Sequence, residues 1–526
     1  MVQAHNWIQD FVVTDDDIDA LTNLLLEREM PMASEALAKA LIEKRLQEET
    51  ERAQERFKDA QPYDPAANYE TGQRIVFPVF DYAIGSVAEV REGDNTEYGE
   101  FDVIVVEFED DAHNQDPLRE FAANFSQPHM LNDGGEALTL PGGDTATADD
   151  VAATEAFDDI VYAVDEALHR NDTLLNLAGT WFPQDLMVEV NEGHLNLAEA
   201  ILDVFEGGPL ATPEVLENIG GVGNTDAPIE LQAFSMNWAM SQDERFDEVG
   251  PTGEVLWFLR RMEPEQVQRT PEMLEYIPIE YDRNALTPAM LELESELGDE
   301  HSPLPNAPRD LQRARAVIIY PHRRVGTLPL NKQVERVFPT ARRTERVAVT
   351  LIDAQDGETF RVWAVRKNKY IHGLAPVYAK HALPVGSTVY LSPGEEPGTV
   401  IFEVDSYKPR SEWVTLVTAN NGQIGFEMAQ RAIGAAYDDL LLLGVDDLDG
   451  VDALFQNNPT KQRPLAVILR TLIPLMGGIS TQGHVHVKTL YSATNILRRC
   501  PPGPVMATLN NNPDFENVGG QYWKLS

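Results

Sequence analysis

Apolar residues recur at helical spacing over 15–28, where Ile18, Leu21, Leu24 and Leu25 share one face behind Thr14 and three aspartates. Met30-Pro31 interrupts this pattern, and Ser34 opens a second helical stretch to about residue 60. That stretch is apolar at Leu37 and Leu41 and charged at its end (Glu48, Glu49, Glu51, Arg52, Glu55, Arg56). The pair predicts a helical hairpin within 1–62. From residue 72 the pattern changes to short β-type runs at 74–77, 84–91, 101–109 and 119–125, separated by turn residues such as Gly93-Asp94-Asn95. A Gly/Asp/Thr-rich loop at 132–150 precedes a helix over 151–169. Residues 264–308 carry seven prolines and an acidic helical run at 290–297, which predicts a linker over 265–308. Strand patterning resumes at 316–320, 347–352, 359–365, 388–391 and 400–404, and a helical connector is expected over 420–460.

Two segments carry the same ending. Phe246-Asp-Glu-Val249-Gly250 precedes Val255-Leu256-Trp257, and Phe515-Glu-Asn-Val518-Gly519 precedes Tyr522-Trp523-Lys524-Leu525. Three helical runs precede each: 195–205, a short one from Thr212 or Pro213, and 229–240 in the first; 465–476, 487–497 and 505–511 in the second. Three helices and a β-wing predict a winged helix-turn-helix in each copy, and an internal repeat fixes architecture more firmly than isolated elements do.

Charge then divides the chain. The 526 residues hold 41 Lys+Arg and 86 Asp+Glu, a formal net charge of −45. Residues 1–308 hold 16 basic and 66 acidic residues, whereas 309–380 hold 15 and 6. Acidic surface repels phosphate, so the basic segment is where nucleic acid is expected to touch. The single cysteine, Cys500, excludes an internal disulfide. No run approaches the roughly 20 apolar residues of a membrane span, and residues 1–10 lack the pattern of a secretory signal. A cytoplasmic, membrane-free protein is expected.

Both wing-bearing segments, about 194–262 and 461–526, resemble HARE-type winged helices, the family that includes a domain of the delta subunit of bacterial RNA polymerase. The resemblance rests on the Phe-x-x-Val-Gly wing entry and the closing aromatic strand. In the first copy the third helix has no Lys or Arg, which suits protein contact or packing. In the second, Lys488, Arg498 and Arg499 flank an uncharged third helix and are candidate DNA contacts. Ile84-Gly85-Ser86-Val87 with the following strand resembles the small barrels of the KOW and Tudor kind, over 72–132.

The order Leu328-Pro329, Val337-Phe338-Pro339, Asp356-Gly357, Tyr370-Ile371-His372-Gly373-Leu374 and Leu383-Pro384-Val385-Gly386-Ser387 resembles the DNA-binding pseudobarrel of plant transcription factors and of some restriction enzymes. Gly373-Leu374 stands where that family has Gly-Trp, and Gly386-Ser387 where it has Gly-Asp. The resemblance covers 309–419 and implies two groove-gripping arms. By position these hold His322, Arg323, Arg324 and Thr327, then Arg366, Lys367, Asn368, Lys369 and Tyr370. Arg reads guanine and Asn reads adenine in a bidentate way, while Lys332, Arg342 and Arg343 suit phosphate.

The expected fold class is therefore multidomain α+β: N-terminal helical hairpin (1–62), small β-barrel (72–132), a helix plus first winged helix (151–264), linker (265–308), basic β-pseudobarrel (309–419), connector (420–460) and C-terminal winged helix (461–526). No Walker A, Gly-x-Ser-x-Gly, His-Glu-x-x-His or dinucleotide fingerprint occurs. His484 and His486 lack further ligands at zinc spacing. No enzyme, metal or cofactor is expected. Two readings remain: a DNA-binding protein of transcription or the chromosome, contacting duplex through 309–380, or a protein-interaction scaffold, for example on RNA polymerase.

Overall fold

The computed structural model describes residues 11–80, 83–94, 99–109, 118–127, 147–154, 156–223, 226–251, 253–341, 344–456, 463–480 and 482–526. Among them the fold is mixed α and β, with sixteen α-helices and six sheets. The chain divides into two compact units, one of residues 1–176 and 180–185, the other of 177–179 and 186–526.

In the N-terminal unit the expected helical hairpin is part of something larger. Thr14 and Asp17 form a reciprocal capping box that starts the helix Asp15–Arg28. The strand Met32–Ala33 and the helix Ser34–Phe57 follow. The helix Ala156–Leu168 and the hairpin of Leu174–Leu177 with Thr180–Pro183 then complete a module of three long helices and three short strands. The chain between its second and third long helices is an insertion carrying a separate five-stranded sheet. That sheet runs in the order Ala60–Pro62, Arg74–Phe77, Ala83–Glu92, Asp102–Phe108, Leu118–Ala123. Its last strand curls back on the start, where Asn124 and Phe125 amides donate to the carbonyls of Ala67 and Pro65 at 2.9 Å each. Gly85 is required by close strand approach, since a Cβ there would stand 2.4 Å from Val106 Cγ1.

The same helix–strand–helix–helix–strand–strand order occurs twice more in the second unit. One copy comprises Glu192–Val204, Leu210–Ala211, Thr212–Ile219, Ile229–Ser241, Phe246–Glu248 and Leu256–Leu259. The other comprises Leu465–Gly477, Val485–His486, Val487–Leu497, Pro502–Asn511, Phe515–Gly519 and Tyr522–Leu525. In all three the last strand is central in the sheet and carries a tryptophan opposite the short strand: Trp181 faces Met32, Trp257 faces Leu210, Trp523 faces Val485. Each indole is buried. In the first two its Nε1 donates to the hydroxyl that opens the second helix, Ser34 or Thr212, at 3.1 Å. In the third that position is Val487, and Trp523 Nε1 has no partner among the described residues.

A seven-stranded, nearly closed sheet lies between the last two modules in the chain. Its order is Ala314–Val317, Thr388–Pro393, Thr399–Val404, Arg346–Asp353, Thr359–Val365, Tyr370–His372, Thr327–Pro329. Alternating Val347, Val349, Leu351 and Val362, Ala364 fill its interior. The segment expected to be a loop at 322–327 is instead the buried helix Tyr320–Val325, ended by Gly326 at φ 67° and followed by strand. The stretch taken for a helical connector holds the strand Gln423–Ala435, which pairs in a long hairpin with Ser406–Asn420 before it, then the strand Leu443–Val445 and only then a helix, Leu448–Gln456.

The proline-rich stretch at 265–308 is not a free linker. Met273, Leu286, Met290, Leu293 and Leu297 enter the same core as Leu469, Leu472, Ile496 and Val505 of the last module. Prolines there set corners in a packed belt. A fragment of residues 265–526 is expected to unfold cooperatively in urea, whereas 309–526 should show a lower midpoint or aggregate, because removing the belt bares that core. Equal midpoints would restore the linker reading.

Candidate functional site

Six of the residues singled out from the sequence, His322, Arg324, Lys332, Lys367, Lys488 and Arg499, lie against the protein's own acids. Arg499 is fully buried as a side chain and pairs with Asp299 at 2.8 Å and Glu300 at 2.7 Å. His322 Nε2 lies 3.1 Å from the same Glu300 oxygen, and its Nδ1 2.9 Å from Thr327 Oγ1. Tyr491 donates to Asp299 at 2.6 Å, and Arg499 donates to Asn495 at 3.0 Å. Burial alone would raise the Glu300 carboxyl, but Arg499 and His322 hold it well below the usual carboxylate range. This cluster ties the belt, the seven-stranded sheet and the last module together. His322, Thr327 and Arg499 are thus interior groups, out of reach of a DNA groove.

Lys488 is also buried, bridging Glu296 and Asp438 at 2.7 Å each. Tyr370 is 1% exposed and donates to the Gln266 carbonyl at 2.6 Å. Arg324 forks onto Asp452 at 2.5 and 3.2 Å. Lys332 meets Glu335 at 2.9 Å, and Arg498 donates to the Arg463 carbonyl at 2.8 Å. Arg366, Lys367, Asn368 and Lys369 form an exposed turn with Lys369 at φ 58°. Within it Arg366 donates to the Ala341 carbonyl, Lys367 lies 3.3 Å from Glu345, and Lys369 reaches the Glu300 carbonyl at 3.3 Å. Arg323 donates from Nε to the Leu383 carbonyl at 2.6 Å. Arg342 and Arg343 lie outside the described residues. His484 and His486 flank the ring of Tyr522, at 4.8 and 4.9 Å between ring centroids.

The third helix of each module is the surface on which a helix-turn-helix would read DNA. Ala156–Leu168 holds four acids and no base. Ile229–Ser241 holds one acid and no base. Pro502–Asn511 is uncharged and mostly buried, with Asn510 donating to the Ala285 carbonyl of the belt at 2.9 Å.

A second charged junction joins the middle module to the seven-stranded sheet. Arg346 reaches Asp247 at 2.7 Å and Glu263 at 3.2 Å. Glu263 is 5% exposed and its other oxygen has no partner among the described residues. Burial first, and the neighbouring Asp247 next, raise its carboxyl to about 8 despite Arg346. Burial raises Glu248 to about 7, an effect partly offset by the Gly250 amide. Sequence reasoning had no signal for these two among 86 acids; their burial depends on contacts between segments far apart in the chain.

No family model, no curated protein and no solved structure matches the chain.

Two measurements follow from this geometry. Arg499→Met should lower stability by about 3–5 kcal/mol in urea denaturation, because two buried carboxylates lose their counter-charge. Adding Asp299→Asn and Glu300→Gln should recover part of that loss, and an unchanged midpoint in the single variant would exclude a structural role for the cluster. For Glu263 the folded state favours the protonated form. Its contribution is complete below the ordinary carboxylate pKa and is lost as pH rises through about 8. Glu263→Gln should therefore raise the Tm relative to the parent at alkaline pH and leave it little changed under mildly acidic conditions. The same difference at both would refute the assignment.

Proposed function

We propose that the chain is a non-enzymatic scaffold built on winged-helix modules that docks other proteins, with the middle module as the docking face, in transcription or on the chromosome. An RNA-polymerase-associated role is the form of this reading that the delta-subunit resemblance favours. One observation carries it: none of the three third helices bears a Lys or Arg, and the last is buried under the belt. Phosphate contact supplies most of the affinity for DNA and needs basic residues at those positions. Apolar groups on the middle module support docking. Leu197, Val204 and Phe205, on and just after its first helix, are 51%, 79% and 49% exposed and fall at i, i+7 and i+8, on one side of a helix.

Duplex DNA is the second reading, and the exposed turn Arg366-Lys367-Asn368-Lys369 is what favours it. It is a basic loop between strands with an exposed asparagine, a side-chain type that can pair with adenine.

Fluorescence anisotropy of a labelled duplex with the full chain separates the two. The scaffold reading expects no saturable binding at low salt. It also expects binding to purified RNA polymerase that weakens in a Val204→Asp/Phe205→Asp variant. Duplex binding that falls steeply between roughly 50 and 200 mM salt, and is lost in Arg366→Ala/Lys367→Ala, would overturn it in favour of DNA.

A further inference from the structure

Within the second unit, the base of the hairpin Ser406–Asn420/Gln423–Ala435 and the strand Leu443–Val445 face the helix Tyr320–Val325 and the turn 382–385 across a cleft of about 420 Å³. Its lining is about as polar as it is apolar, with Val414, Leu416, Ile433 and Leu442 forming an apolar wall on the hairpin side. Three arginines line it. Arg431 pairs with Asp446, and Arg324 with Asp452. Arg323 has no carboxylate within ion-pair distance among the described residues. Its one side-chain hydrogen bond among the described residues is from Nε to the Leu383 carbonyl, and its guanidinium lies 5.6 Å from the Tyr378 ring centroid.

Among the described residues of this cleft Arg323 is the guanidinium left without an acid, as Arg366 and Arg498 are elsewhere. Acids outnumber bases by 86 to 41. Each of the other arginines of the cleft has found an acid. Burial disfavours the charged form of Arg323 and pulls its pKa down, yet a guanidinium keeps its proton. The Leu383 carbonyl fixes one edge of the fork and leaves the two terminal amines available for a planar, bidentate acceptor. Tyr320, which lines the same cleft, is 3% exposed, and its hydroxyl has no partner among the described residues. Burial, with Asp452 nearby, raises its pKa, so it remains a hydrogen-bond donor.

We infer that this cleft binds a small organic monoanion, a carboxylate with an apolar body, with its head on Arg323 and its body along Val414, Leu416, Ile433 and Leu442. The free terminal amines select the class. Arg324 and Arg431 are occupied by Asp452 and Asp446, with Asp449 also acting on Arg324, whereas Arg323 keeps both terminal amines for an anionic head. The volume falls in the range of small-molecule pockets, and an apolar wall with few fixed polar groups is how such pockets are built. This site is independent of the docking reading above and of the turn at 366–369.

Isothermal titration of the full-length protein with sodium octanoate tests it, with acetate, octyltrimethylammonium and octyl phosphate as comparisons. Octanoate should bind with one site per chain and raise the Tm, acetate should bind more weakly, and the ammonium should not bind. Arg323→Met should weaken octanoate by roughly tenfold or more, and Arg323→Lys by less. Leu448→Gln, at a half-exposed residue on the rim, should weaken octanoate without loss of folding and keeps the test open if the Arg323 variants are unstable. Absence of octanoate binding, equal binding by octanoate and the ammonium, or an Arg323→Met protein that binds as the parent does would each overturn the inference. Tighter binding of octyl phosphate would overturn the carboxylate assignment.

Discussion

The second unit turns on one buried ionic contact, Arg499 with Asp299 and Glu300. Taking three charges out of water costs several kcal/mol per ion unless each is well paired. Here further bonds come from His322, of the helix beside the seven-stranded sheet, and from Tyr491 and Asn495 of the last module itself, while Glu300 Oε2 and Arg499 Nε have no partner among the described residues. The contact therefore forms only when the belt, the seven-stranded sheet and the last module are all in place. It contributes less to net stability than an apolar plug of equal volume would, but it penalises any arrangement in which one of the three is misplaced. That makes a single cooperative body out of segments whose compositions differ sharply.

The same accounting explains the charge asymmetry of the chain. The excess of bases in 309–380 faces acids from well outside it as well as within it: Arg346 faces Asp247 and Glu263, Arg324 faces Asp452, Arg313 faces Glu403, while Lys380 gathers Asp353, Asp356 and Glu358. A basic segment in an acidic chain has two physical uses, binding an external polyanion or neutralising internal carboxylates. Net charge along the sequence is identical in the two cases. Only burial and partner distances separate them, and for Arg499, Lys488 and Arg346 they fall on the internal side.

What could be read from the sequence follows from which signals are local. The two Phe-x-x-Val-Gly wings and the helices before them are contiguous, and three helices with a closing hairpin stand where they were expected. The strands at 347–352 and 359–365 were legible for the same reason, since their alternation is a local consequence of one buried face. The N-terminal module was not legible as a unit. An inserted sheet separates its second helix from its third, and its hairpin, Leu174–Leu177 with Thr180–Pro183, lacks the Phe-x-x-Val-Gly entry. A tryptophan on the last strand, Trp181 as in Trp257 and Trp523, was present in the sequence, but a single aromatic position sets no register. The hairpin at 406–435 was missed because 406–413 of its first strand and 427–432 of its second are exposed or half-exposed, so residues such as Lys408, Arg410 and Glu427 show no burial alternation. The pairing of Asp299 and Glu300 with Arg499 spans some 200 positions and leaves no local trace.

The three modules differ in a way that bears on how each is held. In the first two, the indole N–H of the central tryptophan is satisfied from two sides: by Ser34 and Asp165, and by Thr212 and Asn237. These polar keys lie inside the module, between its sheet and two of its helices, and fix their relative positions without outside help. In the last module Val487 removes the hydroxyl and leaves Trp523 Nε1 buried without a partner among the described residues, a loss worth about 1–3 kcal/mol. The module's polar fixings instead face outward, through Lys488, Tyr491 and Arg499 on or just after its second helix. A helix-and-hairpin module that has exchanged an internal key for external ones is built to be part of a larger body, which accords with the burial of its third helix under the belt.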